Sequence, residues 1–374
     1  MGKTPLLPIF AATLGASGAF LGFIVSVSTM TGLFLKPLFG VLSDRWGRRI
    51  WLIIGTCFFA FMPFLYGLVQ TSEHLLIIRL IHGLATAIYG PVTLAYIAEL
   101  SKGKQVAEDI GWFEMARSGG YIAGPALAGW LLLSLDPVTV FTIIGFISCL
   151  VFIPILQLPE TRMTEKYEIK PILQHIKSAI RDGSRIPAIW LTGSLEAITF
   201  IVLYTLKAFL PIFALEAGVS VLWVGLYFSL QEAVHIIVQP FCGRLGDKWG
   251  HLPTITLGML ILSVSLPLVT SFNNGLLFII PGMMMGFAQA LIFPSAIALV
   301  SDHIDTENLG AGMGLIGMMQ NFGKVVGPIL GGFVIQNLGY QATLYLLTIT
   351  LIIGIVIIWQ IFSPTRSLIL RTEE

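Results

Sequence analysis

A ten-residue stretch, Gly40-Val41-Leu42-Ser43-Asp44-Arg45-Trp46-Gly47-Arg48-Arg49, lies between two long apolar runs. It returns in degenerate form 203 residues later as Gly243-Arg244-Leu245-Gly246-Asp247-Lys248-Trp249-Gly250-His251-Leu252. An internal repeat constrains a fold strongly, because each copy has to build the same structural unit. The register holds far beyond the motif and without a gap. Leu7-Pro8-Ile9-Phe10-Ala11 falls on Leu210-Pro211-Ile212-Phe213-Ala214, Pro37 on Pro240, Gly83 on Gly286, Pro91 on Pro294 and Glu99 on Asp302. Gly120, Gly124, Pro125 and Gly129 fall on Gly323, Gly327, Pro328 and Gly332. The chain is two homologous halves.

What each half is made of follows from its polarity. Of the 374 residues 56% are hydrophobic and 11% charged, against about 25% charged in a soluble domain. Runs such as Trp51–Val69, Val138–Leu158 and Gln341–Phe362 are close to the roughly 20 residues a helix needs to cross a bilayer. The expectation is an all-α polytopic membrane protein. A transmembrane barrel would instead show alternating segments of about 10 residues. Net charge +1 gives no reason to expect a nucleic-acid partner. Cys57, Cys149 and Cys242 sit in apolar runs without metal-ligand spacing, so they are packing residues and no metal is expected. Nothing resembles a removable signal peptide.

Spanning helices are predicted at about 17–40, 50–70, 74–100, 106–134 and 138–158, then at 187–214, 219–242, 252–271, 275–302, 308–335 and 339–362. The N-terminal bundle is 1–158, a linker 159–186, and the C-terminal bundle 187–374. Equivalent motif loops on one side of the membrane require an even number of helices per half, hence six. The lysine and arginine distribution tests this. Loops on the motif side hold 15 of the 21 Lys and Arg: Arg45, Arg48, Arg49, Lys102, Lys104, six in the linker, Arg244, Lys248, Arg366 and Arg371. The short loops of the other side, near 12–16, 71–74, 134–138, 215–219, 271–275 and 336–340, hold none. Linker and C-terminus are therefore expected in the cytoplasm of a multi-pass plasma-membrane protein. The first helix of the first half is expected to be truncated, since Pro5–Gly15 is too short to span. A misplaced start explains this more simply than a genuine stub.

The motif at 40–49 and its copy resemble the signature of the major facilitator superfamily of secondary transporters, and the resemblance covers essentially the whole chain. It implies two pseudo-symmetric six-helix bundles around a central cavity, rocking to alternate access. By similarity Gly40, Asp44, Arg45, Gly47, Arg48, Arg49, Gly243, Asp247 and Gly250 form the gating motifs. Asp44 is then expected to reach the start of the eleventh helix and hold the outward-open state, with Arg45 and Arg48 as its charge partners. Glu99 joins that network. Arg48 and Arg49 become His251 and Leu252 in the copy, which implies a weaker second gate. Arg79-Leu80-Ile81-His82-Gly83 resembles a family motif linked to proton transfer, with His82 in place of Gln. Arg79 inside a span is costly enough to suggest function, although near a helix end it could also snorkel to the headgroups. Gly119 to Gly129 resembles the antiporter motif of the drug–proton branches. Its copy at 323–332 allows a structural reading, in which Gly120, Gly124, Pro125, Gly129, Gly323, Gly327 and Pro328 pack helices closely as hinges.

The remaining chemistry is carried by ionisable residues inside predicted spans: Arg117, Glu196, Lys207, Glu232, His235 and Lys324. Glu232 and His235 are three apart and share a helix face. Desolvation disfavours the charged form of a buried carboxylate, which suits a proton-coupling site. Glu232, with His235 or Glu196, is expected to exchange protons against substrate. The alternative is a locking charge pair of Glu232 or Glu196 with Arg117 or Lys324. Lys207 is read as interfacial. Gln231, Gln320 and Asn321 are candidate polar lining, and Met283–Met285, Phe287 and Phe293 candidate apolar lining or packing.

No hydrolase triad, phosphate loop or Asp-x-x-Asp cluster occurs, so no enzyme is expected. The reading is a cofactor-free, monomeric transporter of a small molecule, driven by an ion gradient of protons and exporting amphipathic compounds. An importer of a metabolite or sugar is the alternative, and a non-transporting receptor on the same fold a minor one.

Overall fold

The computed structural model describes residues 3–101, 105–160, 186–271, 275–302 and 309–369. They form helices throughout: α1 (Lys3–Thr13), α2 (Gly18–Trp46), α3 (Arg48–Leu65), α4 (Ser72–Leu100), α5 (Val106–Leu131), α6 (Pro137–Cys149) and α7 (Phe152–Gln157) in the first half. The second half holds α8 (Pro187–Glu216), α9 (Val221–Trp249), α10 (His251–Ser271), α11 (Gly275–Ser301) and α12 (Leu309–Ile369). Among the described residues, nine helices are long and apolar enough to cross a membrane. Large apolar side chains such as Phe34, Phe146 and Phe241 are exposed, as a bilayer-embedded protein tolerates.

The repeat is visible in the backbone. The described positive-φ positions are all glycines, and four of them pair at the 203-residue offset: Gly15 with Gly218 (φ 73° and 81°), Gly47 with Gly250 (both 93°). A side chain would strain these conformations. They fix where helices end, so α2 and α9 begin and stop at equivalent residues.

That geometry corrects the helix limits. Gly40 to Trp46 and Gly243 to Trp249 are helical, and each predicted turn shrinks to one residue, Gly47 or Gly250. Helical hydrogen bonding outcompetes the charged composition that suggested a loop. The span predicted at 138–158 is interrupted between α6 and α7. The last two predicted spans run on as α12, broken at Gly339 (φ 82°). Elsewhere caps act as their chemistry dictates. Asp136 accepts from the Thr139 amide at 3.0 Å and from its hydroxyl at 2.6 Å, which holds the Asp136 carboxyl below the usual carboxylate range. Most of the linker, with Lys102, Lys104 and Arg371, lies outside the described residues, and nothing is described of the Arg366 side chain.

Each half has its own apolar core, with α8 to α12 sharing the larger one. Phe10 of α1 meets Tyr66 and Phe141 edge-on at 6.2 and 5.8 Å, and the latter two rings stack at 4.0 Å. This cluster also takes in Ala208 and Phe209 of α8, so α1 bridges the halves.

The halves meet mainly through α2 against α12 and α5 against α9. Both contacts lie at the end of the molecule away from the motifs, and they are related by the repeat. A methyl at Gly22 would strike the Pro328 carbonyl, and one at Gly225 the Pro125 carbonyl. Gly18 and Gly332 touch, as do Gly129 and Val221. Ser26 Oγ donates to the Val325 carbonyl at 2.7 Å, while the Ala126 amide donates to Ser229 Oγ at 2.9 Å. At the motif end the same helices stand apart: methyls at Gly40, Gly111, Gly119, Gly314 and Gly317 would meet nothing within 4 Å. The molecule is closed at one end and open at the end bearing Asp44 and Asp247.

Candidate functional site

A cavity of about 330 Å³ lies between the halves beneath the closed end. Ser28, Thr29, Arg79 and Tyr121 face it from the first half, and Tyr204, Lys207, Gln231 and Glu232 from the second. Leu7 and Pro8 of α1 also border it.

Arg79 is buried to 3% exposure. It donates to Ser28 Oγ at 2.6 Å and, at longer range, to the Ile24 and Val25 carbonyls, so it does not snorkel. Its Nη1 has no hydrogen-bond partner among the described residues. Glu232 Oε1 stands 3.7 Å from His235 Nδ1, which is electrostatic contact and too long for a hydrogen bond. The helical spacing brings the two together, as read from the sequence.

Glu196 is 1% exposed. Its Oε2 accepts from Gln320 Nε2 at 2.6 Å, and its Oε1 is without a partner among the described residues. A buried, half-satisfied carboxylate is costly, which marks it as a functional candidate. The alternative of a locking charge pair across helices does not hold for Arg117: it pairs with Glu114 of its own helix at 2.6 Å and is well exposed. Lys324 makes no ion pair among the described residues; its ammonium lies over the Phe200 ring at 4.2 Å.

Lys207 corrects the sequence reading. It lines the cavity, 5.2 Å from the Tyr204 ring centroid, on a helix packed against the bridging α1. Distance from a helix end does not report whether solvent or a neighbouring helix stands beside it. Asn321 Nδ2 donates back to Gly317 of its own helix at 2.7 Å. Met283 and Phe287 are exposed, while Met285 is fully buried and accepts from the Tyr227 hydroxyl at 3.0 Å. Of the apolar candidates, Phe293 alone approaches the site, stacked on Phe200.

At the open end, Arg48 draws three groups together. It pairs with Asp44, contacts Glu99 at 2.9 Å and donates to Ser43 Oγ at 2.6 Å, while only 7% exposed. Arg49 donates to the Leu156 carbonyl at 2.6 Å. Arg45 is exposed and makes no ion pair among the described residues, and a methyl at Gly40 would meet open space. Arg45, expected as a charge partner of Asp44, stands outside the Asp44–Arg48 pair in this arrangement, which is open at the motif end. In the second half His251 Nε2 meets Asp302 Oδ2 at 3.2 Å, the repeat equivalents of Arg48 and Glu99, whereas Asp247 is exposed. The ion pair of Asp44 is with Arg48; residues 303–308, at the approach to α12, lie outside the described residues.

Two symmetry-related halves around a cavity open at one end match a known family across the chain: the Major Facilitator Superfamily model covers residues 4–234 and 196–372. The chain belongs to the major facilitator superfamily.

Relatives in this superfamily align over nearly the whole chain. Multidrug resistance protein 1 of Bacillus subtilis is 29% identical over 363 residues, 94% of this chain and 89% of that protein. An uncharacterized MFS-type transporter of Methanocaldococcus jannaschii is 24% identical, covering 90% and 87%. The quinolone resistance protein NorA of Staphylococcus aureus is 22% identical, covering 95% and 90%. Among solved structures, the nucleoside transporter NupG superposes with a TM-score of 0.80 at 15% identity, covering 97% of this chain and 99% of that one. A bacterial homolog of the human lysosomal transporter Spinster, inward-facing and occupied, gives 0.78 at 16% identity, covering 96% and 90%. At such identities the superpositions establish the superfamily fold alone. The protein is a multi-pass membrane transporter of this superfamily.

Sequence reasoning missed Tyr204 in the cavity wall, Phe200 beneath Lys324, Glu114 beside Arg117, and Lys36 of α2, whose aliphatic chain lies beside Gly90 of α4. Lys36 and Glu114 carried a usable signal, since an ionisable residue within a span is costly wherever it occurs. The aromatic residues carried none, being indistinguishable from packing residues until their neighbours are known.

Proposed function

We propose that this transporter exports small amphipathic compounds in exchange for protons, with no bound cofactor. The reading takes the motif end as cytoplasmic, on the lysine and arginine bias, so the conformation described is inward-open. The observation that carries it is the placement of Glu232. This carboxylate faces a cavity shared by both halves, beside His235 and beneath a seam of glycine and proline that closes the outer end.

A compound entering from the open end meets Glu232 together with aromatic and apolar walls. Rocking the halves about the cavity would separate the Gly22·Pro328 and Gly225·Pro125 contacts and bring the motif ends together. A proton taken by Glu232 from outside would then displace the compound, because both compete for one carboxylate. The full-length similarity to multidrug resistance protein 1 supports export of this class of compound.

The test uses inside-out vesicles carrying the protein under an inside-acid pH gradient. Lipophilic dyes added outside should trigger proton release in the wild type and none in Glu232→Gln. Unchanged release in that variant would remove Glu232 from the coupling.

A further inference from the structure

Two aromatic rings link groups of opposite charge across the second half. Phe200 of α8 and Phe293 of α11 stack with centroids 5.0 Å apart and planes at 14°. The Lys324 ammonium of α12 lies 4.2 Å from the Phe200 centroid. His235 of α9 meets Phe293 edge-on at 5.6 Å, and Glu232 stands 3.7 Å from His235. Read across, the order is ammonium, ring, ring, imidazole, carboxylate.

The Lys324 ammonium rests on the Phe200 face, and Glu196, four residues before Phe200 on α8, forms no ion pair with it. Glu196 is already engaged by Gln320 at 2.6 Å. Among the described residues no carboxylate stands within ion-pair distance of Lys324, Lys36 or Lys207. A ring face replaces only part of the hydration an ammonium loses on burial. An anionic group arriving at Lys324 would relieve that cost.

We propose that this arrangement is a two-pole substrate site in which Lys324 takes a carboxylate or equivalent anionic group, the Phe200–Phe293 pair takes an aromatic body, and Glu232 takes an amine. The substrate class is then the zwitterionic aromatic amphiphile, in preference to the plain lipophilic cation. The inference rests on the transporter reading above and narrows its substrate. It also keeps the sense of coupling. An anion held alone would bind better as the cavity gained protons, which gives co-transport; an amine at Glu232 competes with the proton, which gives exchange.

The test compares rhodamine B, a zwitterion whose cationic diethylamino group stands in for the amine, with its ethyl ester, which keeps that cation and loses the carboxylate. Fluorescence anisotropy on the purified full chain should show the zwitterion binding on the order of tenfold more tightly, the worth of one charge-assisted hydrogen bond. Lys324→Gln should erase that preference by weakening the zwitterion alone, and Lys324→Arg should keep it. Equal binding of the two dyes by the wild type overturns the proposal. So does a Lys324→Gln variant that weakens both alike, or a wild type that binds neither. Both dyes are then followed in the inside-acid vesicles. Dye-driven proton release without selectivity would sink the anion subsite and leave proton exchange standing. Selective binding without proton release would sink proton exchange and leave the subsite.

Discussion

The glycine–proline seam makes the sharpest quantitative prediction. In Gly22→Ala the added methyl meets the Pro328 carbonyl carbon at 2.6 Å and Ile329 Cα at 3.2 Å, besides the carbonyl oxygen. In Gly225→Ala it meets Gly129 Cα at 3.1 Å and the Pro125 carbonyl carbon at 3.2 Å. These neighbours are all backbone, so no rotamer change can relieve the contact and the helices must part. Overpacking of this kind costs about 1–3 kcal/mol per site, with a midpoint of about 2 kcal/mol; the helix preference of alanine over glycine is the same in both arrangements of the halves and cancels between them. The net is about 2 kcal/mol per site against the closed seam. For both substitutions that is about 4 kcal/mol, or a shift of roughly a thousandfold between the two arrangements of the halves. The assay is the distance between spin labels on Arg45→Cys and Lys248→Cys, two exposed residues related by the repeat at the open end. The double alanine variant should replace the wild-type distance with a shorter one as the motif ends approach. An unchanged distance distribution in a folded double variant would refute the argument that backbone contact at these two points sets the conformation.

The two charge clusters at the open end give further predictions. Arg48 is buried with two carboxylates, so Arg48→Ala should lower the melting temperature by the equivalent of about 3 kcal/mol, as removal of one partner from a buried pair does. Arg48→Lys should fall between the two, because lysine keeps the charge and loses the planar fork; a melting curve of Arg48→Ala matching the wild type would contradict this. His251 and Asp302 form an ion pair only while the imidazole carries its proton. Asp302→Asn, which removes the charge of the partner, should therefore change the label distance at the open end, and an unchanged distance distribution would show that the pair plays no part.

Much of this was legible in the sequence because it depends on local rules. Apolar length dictates spanning helices. The fixed offset dictates two like halves, which the paired backbone angles of Gly47 and Gly250 repeat in the structure. Helical periodicity placed Glu232 beside His235 without any knowledge of the fold. The same local reasoning misjudged the motif as a turn, since its charge suggested a loop while the backbone needed only one glycine to break the helix.

What the sequence could not determine is which surfaces face each other. Gly22 and Pro328 are 306 residues apart, and nothing local says that their helices touch while Gly40 faces open space. Lys207 looked like an interface lysine because its depth was legible and its neighbours were not. Arg117 and Lys324 both looked like partners for Glu232 or Glu196. Only the arrangement of helices gave one of them Glu114 and the other the face of Phe200. The energy of a charge in a membrane protein depends on what stands within a few ångströms of it, and that is decided by contacts between helices distant in sequence.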